Sequence, residues 1–477
     1  LCDAAHFQMV RDILALKEER RFVVVSAPGK RFPEDIKITD QLYRCHEEAR
    51  QGGNVAEAFT PVASRFQEIA AQLGLSLDLE EEFRATLWAM ERGAGQDFCA
   101  SRGEYFSARI MAALLNLPFL DPAQCIFFDE KGQFDGEAAQ KTLAAKLQDL
   151  PGAVMPGFYG GMPDGAVATF SRGGSDISGA VLAWASGSRV YENWTDVSGV
   201  LAADPRVIAA PPPIATMTYA EVRELAYLGA TVLHEDAIYP AKAAGIPIHI
   251  CNTMDPQAPG TWIVAQATEP AGAITGLAGR RGYSALQVEK ERSNSEVGYC
   301  RKILSCLEKN GVPFEHLATG IGSVCLVAQT ELLEPHRQQL LSDVEAAVHP
   351  DSLQICHGLS MIAVVGRGMA GRPQVASRLF TAVSQAGVNI RLIDQGTKEL
   401  NIVLGVDDGD YEQAMQAIFD SFFPKKLRRN RTYGIQKVWK HPDRPAGPGR
   451  GSGGPAPGAG PPGAHHPGVS ERPGRCG

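Results

Sequence analysis

Short, continuous runs of apolar residues predict buried strands in the first 280 positions of the chain. The run RFVVVSA occupies residues 21–27, and similar runs occupy residues 153–158, 188–194 and 246–251. Unbroken apolar runs are typical of strands covered on both faces, as in a parallel sheet. Helical stretches lie between these runs, and residues 56–92 are expected to be helical. Because strands alternate with helices, we predict an α/β fold, a three-layer αβα sandwich around a mainly parallel sheet.

One helix start carries a specific signal. Thr218-Tyr-Ala-Glu221 fits a capping box, in which each of the two side chains bonds to the other residue's backbone amide. Val222, Leu225 and Ala226 follow at helical spacing. We therefore expect a helix to begin just after Thr218.

A repeated pattern sets residues 283–423 apart from the rest. Residues 301–329 and 377–406 each read as a helix, a glycine stop, a strand, a turn and a strand, with the stops at Gly311 and Gly387. A leading strand at 283–288 or 360–365 precedes each unit, and a further strand and helix, as in 410–422, complete it. This order is that of a small ferredoxin-like βαββαβ module, present twice.

The overall composition is ordinary for a globular protein, with 44% hydrophobic and 21% charged residues. No apolar run reaches the ~20 residues that a membrane-spanning helix needs, and no signal peptide is recognisable. The ten cysteines are scattered and form no CxxC pair, so we expect reduced thiols in the cytoplasm rather than disulfides or a zinc site. No membrane partner and no metal-binding side chain are predicted.

The tail at 424–477 differs from the body in charge. The net charge of −8 divides into −17 before residue 424 and +9 from there on. The Gly/Pro-rich end of the tail cannot bury a core, so we expect it to be disordered. Basic arms bind nucleic acids in some proteins, but an exposed tail or an out-of-frame extension accounts for the same pattern. No nucleic-acid partner is predicted.

The stretch TFSRGGSDISGA contains a turn that we expect to open a helix. Gly173 and Gly174 permit positive φ angles and let the backbone approach a ligand closely. Helix-start amides favour a carboxylate or a phosphate, and the Arg172 guanidinium can bind a carboxylate through two hydrogen bonds. Ser175 adds a hydroxyl, and Asp176 can orient a cation or a substrate ammonium. The alternative reading is a tight turn with a surface arginine.

Other polar turns follow predicted strands. Thr195 and Asp196 come just past a strand end, where α/β folds place their ligands. Arg206 ends a second charged turn, and Glu104 in SRGEYFSARIMAALL is expected near a helix start. Acidic, basic and Gly-rich turns in these places predict an acidic, amine-bearing substrate beside a nucleotide.

Together these motifs resemble the bacterial aspartate kinases of the monofunctional, lysine-regulated type. The matching stretches are FSRGGSD, WTDVSGV with ADPR, LGATVLHEDAIYPA and SRGEYFSA, and the resemblance covers residues 1–423. It implies the amino-acid kinase fold followed by two ferredoxin-like ACT domains. It also implies transfer of the ATP γ-phosphoryl group, with Mg²⁺, to the side-chain carboxylate of L-aspartate. The product would be 4-phospho-L-aspartate, the first intermediate towards lysine, threonine and methionine.

The resemblance also implies an organisation and a location. The catalytic domain would span 1–280, the two ACT domains 281–350 and 351–423, and the tail 424–477. We expect a cytoplasmic bacterial protein that forms a homodimer through its ACT domains and is inhibited by lysine.

In the substrate site, the resemblance assigns a role to each matching residue. Arg172 should bind the aspartate α-carboxylate, and Glu104 should face the ammonium. Asp176 should organise the catalytic centre together with Arg172 and Gly174. The remaining substrate contacts are expected from Thr39, Phe158, Gly173, Gly174 and Ser175.

Around the nucleotide, two residues depart from the family. Thr231 stands where many members have lysine, and Leu201 stands where many have an aromatic residue near adenine. His234 is interpreted as structural rather than catalytic. The full set expected at ATP is Thr195, Asp196, Leu201, Arg206, Thr231 and Val232.

A third departure concerns the start of the chain. The opening strand of the family ends in Lys-Phe-Gly-Gly-Ser/Thr-Ser, and its lysine touches the transferred phosphate, whereas this sequence begins at LCDAAHF, the helix after that motif. We expect a truncated sequence rather than a natural pseudokinase. A chain that starts at Leu1 would then form a destabilised, nearly inactive kinase domain.

The loop RSNSEVGYC matches the effector loop of the ACT domains. Its serines and asparagine are expected to bind an effector carboxylate, although Ser and Asn before a helix also act as plain caps. Lysine is the expected effector, but these residues do not separate it from threonine. The expected effector contacts are Ser293, Asn294, Ser295, Val297, Gly298, Glu315 and Thr319.

Two other functions stay open at this point. The chain would be an amino-acid sensor with a dead kinase domain if the lysine strand were naturally missing. It would alternatively be a kinase of the same fold acting on glutamate, acetylglutamate or a nucleotide. The ACT pair and the combination of Glu104 with Arg172 argue against this last reading.

Overall fold

The structure is a computed structural model that describes residues 1–171, 173–230, 233, 235–267 and 272–423, and for Glu235 and Asn294 it describes the backbone alone. These residues all belong to one compact unit, Leu1–Thr432. The predicted tail at 424–477 lies outside the described residues.

Helices and strands alternate through the first part, as predicted. The helices are α1 (Ala4–Ala15), α2 (Ile38–Gln51), α3 (Val55–Gln72), α4 (Glu80–Glu91), α5 (Gln96–Leu115), α6 (Gly136–Leu147), α7 (Gly174–Ala185), α8 (Tyr219–Tyr227), α9 (Glu235–Ala243), α10 (Tyr299–Lys309), α11 (Thr330–Leu333), α12 (Arg337–Val348), α13 (Pro373–Gln385) and α14 (Tyr411–Phe422). The strands are β1 (Phe22–Val25), β2 (Phe127–Phe128), β3 (Phe134–Asp135), β4 (Ala153–Pro156), β5 (Tyr159–Gly161), β6 (Val167–Thr169), β7 (Tyr191–Thr195), β8 (Thr216–Thr218), β9 (Ile248–Asn252), β10 (Thr261–Val264), β11 (Gly276–Glu289), β12 (His316–Thr319), β13 (Ser323–Gln329), β14 (Ser352–Val365), β15 (Ile390–Asp394) and β16 (Asn401–Asp407).

The four apolar runs form β1, β4, β7 and β9, and they pair in parallel as expected. β1 pairs with β4, with Phe22 opposite Ala153, and β7 pairs with β9, with Tyr191 opposite Ile248. The pair β8–β10 is also parallel, whereas β9–β10 is antiparallel. Helices α3 and α4 confirm the helical reading of 56–92. The carboxyl ends of these parallel strands are therefore available for a ligand site.

The region after residue 275 forms a six-stranded antiparallel sheet, ordered β12-β13-β11-β14-β16-β15. Both predicted helix stops are confirmed, since Gly311 and Gly387 follow α10 and α13 with φ angles of +66° and +73°. The two modules share β11 and β14. These two long strands pair with each other, and β11 also pairs with β13 while β14 also pairs with β16. The expected boundary at 280/281 falls inside β11, and the one at 350/351 lies just before β14.

Helix α8 joins the first part of the chain to this sheet. The predicted capping box is confirmed, because Thr218 and Glu221 exchange side-chain and backbone hydrogen bonds. The Glu221 carboxylate also accepts hydrogen bonds from Thr275 and Arg367, and Glu224 accepts one from Asn401 at 2.6 Å. No helix in the described part of the chain combines the length and apolar character that crossing a bilayer requires.

Candidate active site

The carboxyl ends of β1 and β4 meet the start of α7. Gly157, just after β4, donates its N–H to Val25 O at 3.0 Å, which continues the parallel ladder beyond the strand. Gly173 precedes α7 with φ +60°, a left-handed conformation that glycine adopts without strain. The turn predicted to open a helix does so, and it lies at the ligand end of the sheet.

Close packing, as well as ligand access, explains the glycines of this turn. A Cβ at Gly174 would lie 2.7 Å from Phe158 Cδ2, and one at Gly157 would lie 2.6 Å from Ser175 Oγ. Phe158 has φ +79° and donates its N–H to Ser178 Oγ at 3.1 Å. The structure therefore brings Phe158, Gly174 and Ser175 into direct contact, and only hydrogen fits at the two glycine positions.

Glu104 reaches the end of β1 from the middle of α5. Its side chain is 6% exposed, and Oε1 accepts the Ala27 N–H at 3.1 Å. Oε2 is buried and has no hydrogen-bond partner among the residues that the structure describes. Burial raises the pKa of Glu104 to about 7, and the single bond from Ala27 offsets this only in part. A buried carboxylate with a free oxygen is well suited to a cationic ligand group.

The expectation that Glu104 lies near a helix start is wrong. It is the ninth residue of α5, which begins at Gln96 after the extended residue Gly95, and Asp97 is the acidic residue of the first turn. The helix dipole acts over the first turn only, so it does not stabilise the Glu104 carboxylate.

Thr39 lies in the first turn of α2, next to this glutamate's helix. A Cβ at Gly103 would lie 2.8 Å from Ala27 Cβ and 3.3 Å from Ile38 Cγ2. The start of α2, the middle of α5 and the end of β1 are therefore packed together, and Thr39 follows Ile38 at this junction. Sequence reasoning did not single out Gly103, although only a glycine fits between these elements.

Asp176 is held by side chains that sequence reasoning missed. Its Oδ1 accepts a hydrogen bond from Asn193 Nδ2 at 2.8 Å, and its backbone oxygen accepts one from the Tyr191 hydroxyl at 3.2 Å. Both partners come from β7, so the third residue of α7 is tied to the neighbouring strand. Tyr191 and Asn193 lie two positions apart in a strand, so their side chains are expected on one face. This spacing does not reveal that Asp176 on α7 is their partner.

Of the expected nucleotide residues, Thr195 is the last residue of β7 and Asp196 follows it. Thr195 Oγ1 accepts the Val197 N–H at 3.1 Å, and the Thr253 N–H donates to Thr195 O at 2.8 Å. Asn252, at the end of β9, donates from Nδ2 to Ser198 Oγ at 2.8 Å. Two parallel strands thus support one exposed turn, which is where a nucleotide is expected.

Arg206 and Leu201 lie further along this segment. The Arg206 side chain is 83% exposed and pairs with Asp204 at 2.7 Å, which holds the pKa of Asp204 below its usual value. Leu201 forms a bridge with Pro213, and Ala202 O accepts the Leu277 N–H of β11 at 2.8 Å. The segment expected to contact ATP is therefore bonded directly to β11 of the six-stranded sheet.

Three expected ligand residues lie outside the described part of the chain: Arg172 at the substrate, and Thr231 and Val232 at the nucleotide. His234 lies outside it as well.

The expected effector loop forms a short 3-10 turn before α10. Ser293 is buried and donates from Oγ to Ile321 O at 3.4 Å, so the loop meets the turn that follows Thr319. Ser295 is exposed and donates a hydrogen bond from Oγ to Arg292 O at 2.8 Å. Val297 is 97% exposed, and Gly298 precedes α10 with φ +81°. For Asn294, the backbone alone places it within this turn.

Glu315 is not brought together with Ser293. It lies at the other end of β12 from Thr319, where its carboxylate accepts hydrogen bonds from Tyr283 at 3.2 Å and Gln329 at 2.5 Å. The carboxylate in contact with the loop is Glu296, which pairs with Lys290 at 2.8 Å and with Lys302. Hydrogen bonds from these two lysines lower the pKa of Glu296 to about 2.

One group of described residues could hold a metal ion: Cys2, Asp3 and His6, whose ligand atoms lie within 4.8 Å of one another. His6 Nδ1 is 2.7 Å from Asp3 Oδ1, and Asp3 also caps α1 by accepting the His6 N–H. These hydrogen bonds account for the cluster as the start of a helix.

The chain resembles known proteins along almost its whole described length. Residues 8–252 match the amino acid kinase family, and residues 362–422 match an ACT domain family. It is 33% identical over 438 residues to aspartokinase 3 of Bacillus subtilis, covering 89% of this chain and 96% of that protein. It is 31% identical to the chloroplastic aspartokinase 1 of Arabidopsis thaliana, covering 86% of this chain and 76% of that protein.

Solved structures agree in fold. The aspartate kinase of Clostridium acetobutylicum superimposes with a TM-score of 0.81 at 42% identity, covering 88% of this chain and 97% of that chain. Escherichia coli aspartokinase III, in complex with lysine and aspartate, superimposes with a TM-score of 0.68 at 25% identity and covers 87% of this chain and 96% of that chain. The chain therefore belongs to the aspartokinase family and is an aspartate kinase with the amino acid kinase fold and a C-terminal ACT region.

Proposed function

We propose that the protein transfers the γ-phosphoryl group of ATP to the side-chain carboxylate of L-aspartate and forms 4-phospho-L-aspartate. The observation that supports this most directly is the buried, half-satisfied carboxylate of Glu104 at the carboxyl end of β1. An ammonium group satisfies its free oxygen, while the glycine turn and helix-start amides suit the two acidic groups of aspartate. This step would begin the route to lysine, threonine and methionine.

The reaction needs no general base, because an aspartate carboxylate with a pKa of about 4 is already ionised at neutral pH. Catalysis then depends on placing the two reactants and stabilising charge in the transferred group. In this role Glu104 fixes the substrate ammonium, and Thr39, Phe158 and Ser175 define the pocket around it. Asp176 orients the centre, with Arg172 as the proposed partner of the α-carboxylate.

ATP would bind at the turn after β7, and Mg²⁺ would accompany its phosphates. Mg²⁺ usually keeps several waters and uses one or two carboxylates together with substrate phosphates. Asp176 on α7 and the exposed Asp196 after β7 fit that donor set. When bound, the ion would neutralise phosphate charge. Thr195 shapes the turn through its bond to Val197, and Leu201 and Arg206 lie on the segment that follows.

For regulation, we propose a homodimer joined through the ACT region and inhibited by lysine, in a cytoplasmic protein. The E. coli aspartokinase III structure contains lysine as well as aspartate. In this chain, β12 and β15 end the six-stranded sheet, and the side chains of Val297 and Ile321 are 97% and 82% exposed near Ser293. An interface between two copies would cover these apolar side chains.

The first experiment measures aspartate-dependent ADP release with MgATP. It uses the 477-residue chain and the same chain extended at its amino end by Lys-Phe-Gly-Gly-Ser-Ser. We expect turnover in the extended chain that is lost in Arg172→Ala. A folded protein that is silent in both forms would favour the amino-acid sensor.

Isothermal titration with lysine and with threonine tests the regulatory proposal. We expect lysine to bind and to lower turnover, and Ser293→Ala to weaken binding. No heat with either amino acid at millimolar concentration would contradict the effector site.

A further inference from the structure

The side-chain amide of Asn193 is committed to Asp176 and its surroundings. Asn193 is the third residue of β7 and is 7% exposed. Nδ2 donates to Asp176 Oδ1 at 2.8 Å and to the Tyr191 hydroxyl at 3.0 Å. An amide nitrogen has two N–H groups, so both are used within this one cluster.

Tyr191 completes the link between β7 and α7. Its hydroxyl donates to the backbone oxygen of Asp176 at 3.2 Å, and a Cβ at Gly179 would lie 2.6 Å from that hydroxyl. Burial raises the pKa of Tyr191 well above its usual value, so the hydroxyl remains a neutral donor. The absence of a side chain at Gly179 lets α7 approach the tyrosine closely enough for these bonds.

The face of β7 turned to α7 extends from this cluster to the expected nucleotide turn. Side chains alternate along a strand, so Tyr191, Asn193 and Thr195 share one face. The other face carries Glu192 and Trp194, which bond to each other at 3.0 Å, and Glu192 accepts Arg20 Nε at 2.7 Å. Asn193 therefore lies between the Asp176 carboxylate and the turn that follows Thr195.

We propose that Asn193 is a positioning residue for phosphoryl transfer: its amide fixes the orientation of the Asp176 carboxylate relative to the bound substrates. The proposal rests on the proposed function, in which Asp176 organises the catalytic centre. Asn193 touches neither substrate and acts only through Asp176.

The chemistry of the Asn193–Asp176 pair explains why position 193 carries an amide rather than a carboxylate. An aspartate at position 193 would place two carboxylates about 2.8 Å apart, and such a pair cannot be fully ionised at neutral pH. The pair would share a proton, and one carboxyl group would donate to the other only while that proton is bound. An amide provides the same N–H donor at every pH, because it neither gains nor loses a proton in this range.

The test is a double-mutant cycle in the extended chain, with kcat and both KM values measured. We expect Asn193→Ala to lower kcat about 10- to 100-fold with smaller changes in KM, since a misplaced group costs rate more than binding. The variant carrying both Asn193→Ala and Asp176→Asn should be no slower than Asp176→Asn alone. Asn193→Leu, which keeps a similar side-chain volume without the amide, should lower kcat to the same extent.

A matched control is available in the regulatory region. Asn310 Nδ2 donates to Asp343 Oδ2, also at 2.8 Å, far along the chain from β7. Asn310→Ala removes an equivalent bond and should leave kcat unchanged in the absence of effector.

The outcomes separate the two proposals. If Asp176→Asn abolishes turnover while Asn193→Ala stays within twofold of the unmodified chain, the positioning role is wrong and the proposed function stands. If Asp176→Asn remains fully active, the role of Asp176 is wrong and the role of Asn193 fails with it. If Asn193→Ala does not fold, Asn193→Leu, which keeps a similar volume without the amide, decides, and an unchanged kcat in that variant overturns the proposal.

Discussion

Two buried glutamates, one in the middle of α5 and one on α8 at the junction with the six-stranded sheet, differ in their charge state. Glu104 is 6% exposed and Glu221 is 0% exposed, so both lose almost all contact with water. Glu104 accepts one hydrogen bond, from Ala27, and burial raises its pKa to about 7. At neutral pH it is therefore divided between its charged and uncharged forms.

Glu221 has the opposite shift. Burial opposes its ionisation, but hydrogen bonds from Arg367, Thr275 and Thr218 together outweigh burial and hold its pKa below the usual value. The Arg367 guanidinium lies 3.0 Å from the carboxylate. The difference shows that burial alone does not set the charge of a carboxyl group, because the number of donors around it decides the direction. A structural glutamate has its donors within the protein, whereas Glu104 leaves one oxygen for a ligand.

The largest effect is expected from Glu221→Ala. Removing this carboxylate leaves the Arg367 guanidinium and the Thr275 hydroxyl without their acceptor at the junction, which should destabilise the protein by about 3–5 kcal/mol. Urea unfolding measures this loss. The matched control is Glu224→Ala on the same helix, which loses only the bond from Asn401 and should cost about 1 kcal/mol. Equal losses in the two variants would contradict the special role of Glu221.

Glu104→Gln should separate activity from stability. An amide of the same size still accepts from Ala27 but cannot neutralise an ammonium, so kcat/KM for aspartate should fall by about 30- to 1000-fold. The KM for ATP and the urea midpoint should change little, because the neutral form of Glu104 is already well populated at pH 7. A large loss of stability would instead show that Glu104 is structural in the same sense as Glu221.

The pH dependence of aspartate binding is the third test. Glu104 binds an ammonium only when ionised, so the KM for aspartate should fall as the pH rises through about 7 and level off above it. The change should approach tenfold per pH unit below pH 7 and be absent in Glu104→Gln.

Glu104 and Glu221 should make opposite contributions to the pH dependence of the protein's stability. The raised pKa of Glu104 makes ligand-free protein less stable as the pH rises from about 4.5 to 7, since the unfolded chain ionises first. The lowered pKa of Glu221 contributes stability above pH 4.5 that is lost as the pH falls. Urea midpoints across this range, compared between Glu104→Gln and Glu221→Gln, resolve the two contributions, and identical profiles would contradict the assignment.

The smallest effect is expected from Thr275→Val. It removes one donor from Glu221 and keeps the side-chain shape, so the cost should be about 1–2 kcal/mol. The variant should also lose stability at a higher pH than the unmodified protein as acid is added. Thr39→Val, at the substrate site, should leave the unfolding profile unchanged while raising the KM for aspartate.

Local patterns predicted much of the fold. The short apolar runs correctly identified β1, β4, β7 and β9, although of these four strands only β4 is buried at every position. Gly311 and Gly387 marked two helix ends through the positive φ angles that glycine favours. The Gly173-Gly174 turn was also identifiable, since a glycine pair before a helix permits the positive φ angle that the turn requires.

Interactions between distant elements were less accessible. Glu104 was expected near a helix start, but eight residues of α5 precede it. The true start of this helix was not recognised from the sequence. Asn193 and Tyr191 were missed because their partner on α7 is set by how the helix crosses the strand. Glu315 was grouped with the effector loop from chain proximity to Thr319, whereas the strand between them separates the two side chains.

The capping box at α8 shows which contacts follow from the local sequence and which depend on the tertiary structure. The sequence by itself determined that Thr218 and Glu221 would cap one helix, because both partners lie within a single turn and their bonds depend on local geometry alone. Only the tertiary structure decided that the same carboxylate would also bind Arg367, 146 positions away, and so join α8 to the segment after β14. The reason is physical: a carboxylate can accept several hydrogen bonds, and chain folding decides which donors fill the sites that local structure leaves open.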